Sequence, residues 1–191
     1  QYTFLNYLRC HDDIGWGLDF ATLKDWGMDE PAHKRYLNDF FTGKHPGSDS
    51  RGELYNDDPV TQDARFCGTT ASMCGIEAAL FEKNDEKLER GIREDLMLHA
   101  YMLTQSGIPM LYSSDEVGRL NDYSYKDDPD KAADSRYIHR GAFQWDLAKK
   151  RKSKTSVEGQ IFQTLDRMEQ IRSQESVFDK DCDVYTYDVH D

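Results

Sequence analysis

His11, Asp12 and Asp13 are the residues whose types and spacing most clearly suggest chemistry in this chain. They directly follow residues 2–8, an aromatic-rich and uncharged stretch that predicts a buried β-strand. Carboxylates at the end of a strand often serve binding or catalysis. Aspartate after a strand is also an ordinary turn residue. The local pattern alone therefore leaves both a functional site and a structural turn open.

A second unit of the same kind lies about 100 residues further along the chain. The short apolar segment 108–112 runs into Asp115 and Glu116, and a helix predicted over about 88–106 precedes it. Strand, helix and strand in this order predict a parallel sheet with both acidic clusters at its carboxyl edge. His99 falls on the apolar face of the helix, where a core histidine is the expected interpretation.

The remaining segments predict further helices around these two units. Residues 17–66 show weak periodicity but many aromatic side chains, which predicts an ordered loop subdomain with short helices near Phe20 and over 31–41. A helix of small residues is predicted over 69–81, and another helix from Thr155 with a capping box. Alternation over 183–189 predicts a strand.

Composition excludes several classes of partner. Lys and Arg number 24 against 36 Asp and Glu, for a formal net charge of −12, so nucleic acid and anionic membranes are not expected to bind. No apolar run is long enough to span a bilayer, and no signal peptide is evident, so we expect a cytoplasmic protein. The four cysteines lack zinc-site and disulfide spacings, which predicts reduced thiols and neither metal nor cofactor.

Five sequence blocks carry a resemblance to a known family and span residues 1 to about 175. They are Leu8-Arg9-Cys10-His11-Asp12-Asp13-Ile14-Gly15-Trp16, Asp63-Ala64-Arg65-Phe66-Cys67-Gly68-Thr69, Gly107-Ile108-Pro109-Met110-Leu111-Tyr112, Asp115-Glu116-Val117-Gly118-Arg119-Leu120-Asn121-Asp122 and Asp134-Ser135-Arg136-Tyr137-Ile138-His139-Arg140. Because it carries these five blocks in this order, the chain resembles the α-amylase superfamily of retaining glycoside hydrolases and transglucosylases. Within that superfamily it resembles the amylosucrases most.

The resemblance implies an α/β fold, namely the last quarter of a (β/α)8 TIM barrel. Residues 1–176 would supply strands 7 and 8 and helices 7 and 8, with the loop subdomain at about 17–66, and residues 177–191 would open a C-terminal β-sandwich. The nucleophile and the acid/base glutamate of the family would lie on earlier strands. We therefore expect an excised fragment that is inactive alone and self-associates through open strand edges.

The resemblance also assigns roles to particular residues. Asp12 would be the transition-state stabiliser, and His11 would donate to a sugar hydroxyl or merely orient its loop. Asp13 and Arg65 would hold the fructosyl or acceptor ring, with a structural salt bridge between them as the alternative. Arg136 would close the sugar pocket, and its usual carboxylate partner is missing, which predicts an unpaired arginine.

Supporting roles are expected for two further groups. Asp115 and Glu116 are expected to support the rim of the site. The loop aromatics either stack on sugars or form the subdomain core, and they are Phe20, Trp26, Tyr36, Phe41 and Tyr55.

The predicted function is glucosyl transfer from sucrose or an α-glucan to an acceptor sugar or water. The partner would be that sugar substrate. An α-amylase-like or sucrose phosphorylase-like hydrolase or transferase is one alternative. A non-catalytic carbohydrate-binding or structural module is the other.

Overall fold

The computed structural model describes residues 3–179 together with Cys182, Asp183, Tyr185 and Tyr187. The strand predicted over 183–189 lies, apart from three of these positions, outside the described residues. The same holds for most of the β-domain predicted over 177–191. Within that range the chain forms the end of a 3₁₀ turn, Ser176–Phe178.

Helices dominate the described part of the chain. The α-helices are α1 Phe20–Asp25, α2 Glu30–Phe41, α3 Thr70–Met73, α4 Ile76–Glu82, α5 Asp85–Thr104, α6 Trp145–Lys149 and α7 Val157–Gln174. Short 3₁₀ helices cover Asp115–Val117, Tyr123–Asp127, Ser135–His139 and Lys150–Lys152. No helix among the described residues combines the length and apolar character needed to cross a bilayer.

The strands are short and form two separate sheets. They are β1 Leu5–Asn6, β2 Ile14–Gly15, β3 Glu53–Tyr55, β4 Arg65–Cys67 and β5 Ile108–Pro109. β1 and β5 pair in parallel, with Leu5 opposite Ile108. The second sheet is antiparallel in the order β2-β4-β3.

The prediction of a TIM-barrel portion is therefore wrong. A barrel requires every strand to be hydrogen-bonded on both edges and tilted into a closed cylinder. In the described residues β1 and β5 pair only with each other, and the other strands form an antiparallel sheet. The chain is a small mixed α/β domain, although the parallel pairing of the two strands was predicted correctly.

The main core lies where α5 and α7 pack together. Ile92 of α5 meets Ile161 and Leu165 of α7, and all three are buried. Side-chain caps fix where these helices begin: Asn84 Oδ1 accepts from the Lys87 amide at 3.0 Å, and Ser156 Oγ accepts from the Gly159 amide at 3.1 Å.

The helix predicted over 69–81 is interrupted. Gly75 has a φ of +84°, a left-handed conformation that ends α3 and starts α4 in a new direction. Thr69 caps α3 with its hydroxyl, which accepts from the Ser72 amide at 3.2 Å. The prediction therefore identified the helical segment but missed its break.

The helices predicted near Phe20 and over 31–41 are confirmed as α1 and α2. Asp19 and Asp29 cap α1 and α2 by accepting backbone amide hydrogen bonds. The ring of Phe41 lies 5.0 Å from Trp16 and 5.6 Å from Phe66, measured between centroids. This cluster holds the subdomain against the antiparallel sheet. Trp26, in contrast, is 70% exposed.

Candidate functional site

A buried ion pair ties the ends of the two parallel strands together. Arg9, three residues after β1, donates from Nη2 to Asp115 Oδ1 at 2.6 Å and from Nε at 3.1 Å. Both side chains are 3% exposed, and the Thr70 hydroxyl donates to the second oxygen of Asp115 at 3.2 Å. Asp115 thus has the structural role predicted for it, and it fixes the position from which residues 10–13 emerge.

Asp12 lies at the centre of a partly exposed polar cluster. Its Oδ1 is 3.1 Å from Nη2 of Arg140 and 3.5 Å from Nη1 of Arg136. Its Oδ2 faces Nε2 of His11 at 3.3 Å. The carboxylate is therefore oriented by two guanidinium groups on one oxygen, and the other oxygen is shared only with an imidazole in the described residues. We refer to Asp12, His11, Arg136, Arg140 and Asp134 as the Asp12 cluster.

Arg136 is paired, which corrects the expectation that it lacks a partner. Its Nε and Nη2 donate to the two oxygens of Asp134 at 2.8 and 2.9 Å, a bidentate geometry. Hydrogen bonding from Arg136 is the main cause that lowers the pKa of Asp134. The guanidinium carbon also lies 4.5 Å from the centre of the Tyr55 ring. Asp134 therefore supplies locally the negative charge that the family resemblance places elsewhere.

His139 and Arg140, at the end of the Ser135–His139 turn, hold the backbone of His11 in place. Its carbonyl oxygen accepts from Nε of Arg140 at 2.6 Å and contacts Nε2 of His139 at 3.2 Å. Burial lowers the pKa of His139 to about 4, and the nearby Arg9 charge acts in the same direction. His139 is therefore neutral at pH 7 and donates to the carbonyl. These contacts leave the His11 side chain 70% exposed.

Asp13 and Arg65 do not join the Asp12 cluster. Among the described residues no ion pair connects them, so the salt bridge expected as the alternative to ring binding is absent there. Arg65 on β4 lies over Gly15 of β2, where a Cβ would come within 3.4 Å of its Nη1. It lines an open groove of about 650 Å³ together with Trp16 and Asp63.

Sequence reasoning missed two members of the Asp12 cluster, Asp134 and Arg140. Asp134 caps the 3₁₀ turn Ser135–His139 by accepting from the Arg136 amide at 3.0 Å, which places the carboxylate beside its neighbour's guanidinium. Arg140 follows at the end of the same turn. The signal was present as an aspartate followed two and six residues later by arginines.

Three other titratable side chains, His99, Cys67 and Cys74, lie in the core. His99 is 1% exposed, and its Nδ1 contacts the backbone oxygen of Asp95 at 2.9 Å and the carboxylate at 3.1 Å. Cys67 and Cys74 are buried free thiols. Burial raises the pKa of Cys67 to about 12 and also raises that of Cys74. These residues match their predicted structural roles.

The Asp12 cluster combines hydrogen-bond acceptors and donors suited to a polar, uncharged ligand. Asp12 and His11 have side-chain exposures of 48% and 70%, so a ligand can reach both. Carboxylate and guanidinium groups on a rigid base can together bind vicinal hydroxyls. No protein-family model matches the chain. Fold and site therefore define a small mixed α/β domain with a preorganised carboxylate–guanidinium cluster.

Proposed function

We propose that the Asp12 cluster binds a neutral sugar and stabilises the transition state of a retaining glycosidase or transglucosylase acting on sucrose or α-glucans. The observation that carries the proposal is that the two oxygens of the Asp12 carboxylate have different partners. Arg136 and Arg140 hold Oδ1, at 3.5 and 3.1 Å, and Oδ2 points toward exposed His11. One oxygen is fixed, and the other is available to a sugar hydroxyl.

The chemistry follows from the charge that develops on the sugar. As the glycosidic bond breaks, the sugar carbon gains positive, oxocarbenium-like charge. A fixed carboxylate that accepts hydrogen bonds from ring hydroxyls binds that state more tightly than the ground state. His11 adds a donor on the same side. The net charge of −12 is compatible with a neutral ligand and opposes an anionic one.

In this role the chain stabilises the transition state but does not carry out the whole reaction. Retaining cleavage needs a nucleophile and an acid/base carboxyl about 5 to 5.5 Å apart. The family resemblance assigns neither group to a residue of this chain. We therefore propose that the chain supplies sugar contacts and the stabilising Asp12 to an enzyme whose reactive acids lie elsewhere.

The lack of an assigned nucleophile and acid/base carboxyl also supports a second candidate function, a carbohydrate-binding module without catalysis. Both candidates predict sugar binding at Asp12, and they differ in turnover. In an active enzyme that contains this chain, Asp12→Asn should lower kcat about 10²- to 10³-fold, the usual effect of removing a transition-state contact. A binding module would show weakened binding and no turnover to lose.

Sugar binding by the chain is the first experiment. Titration with sucrose and with maltose, followed by saturation-transfer NMR, should detect binding that Asp12→Asn weakens about 10- to 100-fold, as for loss of a charged hydrogen bond. Asp146→Asn is the matched control, because Asp146 forms an exposed ion pair with Lys149 at 2.6 Å far along the sequence. Absence of binding, or equal binding by the Asp12 variant, would refute both candidates.

A further inference from the structure

We propose that Cys10, His11 and Asp12 form a binding site for a thiophilic divalent cation of the Zn²⁺ class. Three consecutive residues offer a sulfur, an imidazole nitrogen and a carboxylate oxygen, and these atoms lie within 4.8 Å of one another. Zn²⁺ binds this combination of donors readily. The cysteine spacings along the sequence do not reveal the site, because two of its ligands are not cysteines.

The nitrogen–oxygen distance already fits a metal. Nε2 of His11 and Oδ2 of Asp12 are 3.3 Å apart. In a tetrahedral site with Zn–N and Zn–O bonds of about 2.1 Å, two such ligands are separated by about 3.4 Å. The sulfur of Cys10 needs only a modest approach to complete three ligands. The two side chains at 70% and 48% exposure leave room for water at the fourth position.

Neighbouring groups orient the three candidate ligands of the cation. Arg136 and Arg140 contact Oδ1 of Asp12 and leave Oδ2, the oxygen nearer the imidazole, for the metal. The backbone amide of Asp12 donates to the sulfur of Cys10 at 3.4 Å, a contact that orients the sulfur within the triplet. Hydrogen bonds to the His11 carbonyl hold the backbone of the triplet in place.

Local charge does not prevent cation binding. The two arginines bring positive charge, but Asp134 pairs with Arg136 at 2.8 Å and lies 3.6 Å from Arg140. Asp12 adds a further carboxylate, which contacts both arginines. A divalent cation therefore enters a cluster in which each guanidinium is already matched by a carboxylate.

The site has a consequence for the proposed function. A metal on Oδ2 would occupy the oxygen that we assign to the sugar, so Zn²⁺ would compete with sugar binding. Only this competition rests on the proposed function. Metal binding itself rests on the ligand geometry and is tested without sugar.

Cobalt titration tests the site directly, because a Co²⁺ ion bound to thiolate gives a charge-transfer absorption band that carboxylates and imidazoles do not give. We expect a band saturating at one Co²⁺ per chain, which added Zn²⁺ abolishes. Cys10→Ser should abolish the band. His11→Ala and Asp12→Asn should each raise the Kd for Co²⁺ at least about tenfold.

Two controls make the test decisive. Cys182→Ser removes the other partly exposed thiol and should leave the band unchanged. Far-ultraviolet circular dichroism should show that Cys10→Ser is folded. Absence of the band in the parent chain, or its persistence in Cys10→Ser, would overturn the proposal. Cys10→Ser should still bind sucrose, so failure of the metal site and failure of the sugar site give different results.

Discussion

The buried pair Arg9–Asp115 offers the sharpest test of how the site is held in place. We predict that Asp115→Leu lowers the free energy of unfolding by about 3 to 5 kcal/mol, the usual cost of leaving a buried charge without its partner. The structure supports the upper part of this range. Both side chains are 3% exposed, and Arg9 donates two hydrogen bonds to the carboxylate. Among the described residues the buried Nη1 of Arg9 has no hydrogen-bond partner. Arg9→Met should cost a similar amount.

Removing both charges should cost less than removing either one. In the double variant Arg9→Met/Asp115→Leu no unpaired charge is buried, and apolar side chains of similar volume occupy the space. The singles and the double form a thermodynamic cycle whose coupling energy measures the pair. Because domains of this size are stable by only about 5 to 15 kcal/mol, urea titrations should start from a fully folded baseline in a stabilising osmolyte.

Asp146→Leu is the matched control for this cycle. Asp146 and Lys149 are also 2.6 Å apart, but their side chains are 91% and 76% exposed. An exposed pair contributes at most about 1 kcal/mol, so this variant should be close to neutral. If Asp115→Leu were as mild as the control, burial would not be the source of the effect and the reasoning would fail.

Two other predictions concern the thiols and the open sheet. Cys67 and Cys74 should resist alkylation at pH 8 in the folded chain, since burial and a raised pKa suppress the thiolate. Peptide mapping by mass spectrometry should find them modified only after unfolding, and rapid labelling would contradict their burial. The parallel pair β1–β5 should drive self-association, because Leu5 and Ile108 are 61% and 48% exposed beside unpaired strand edges. Sedimentation velocity should show that Leu5→Lys with Ile108→Lys shifts the chain to monomer, whereas a monomeric parent chain would refute the prediction.

Local patterns in the sequence predicted most of the helices. The apolar repeat predicted a helix over about 88–106, and α5 covers Asp85–Thr104. The capping box placed the start of α7 one residue early, because Ser156 and not Thr155 caps it. These features depend on contacts within a few residues, which sequence spacing records well.

Longer-range features were predicted poorly. A strand was expected over 2–8, but the described ladder covers only Leu5–Asn6, since β1 has one partner and that partner is two residues long. The barrel inferred from motif resemblance does not form, because motifs identify side chains and not the number of strands that pair. Arg136 was expected to be unpaired because the family resemblance gives it a distant carboxylate as partner, whereas Asp134, two residues away, pairs with it.

The contact between β3 and the Ser135–His139 turn limits how separable the loop subdomain is. Tyr55 stacks beneath Arg136, and the Ser135 hydroxyl donates to the backbone oxygen of Leu54 at 2.9 Å. The insertion is thus fastened to the turn that carries both arginines. A homologous loop grafted in its place would need its own matching turn. The loop and the turn would therefore have to be exchanged together, although about 70 residues of chain separate them.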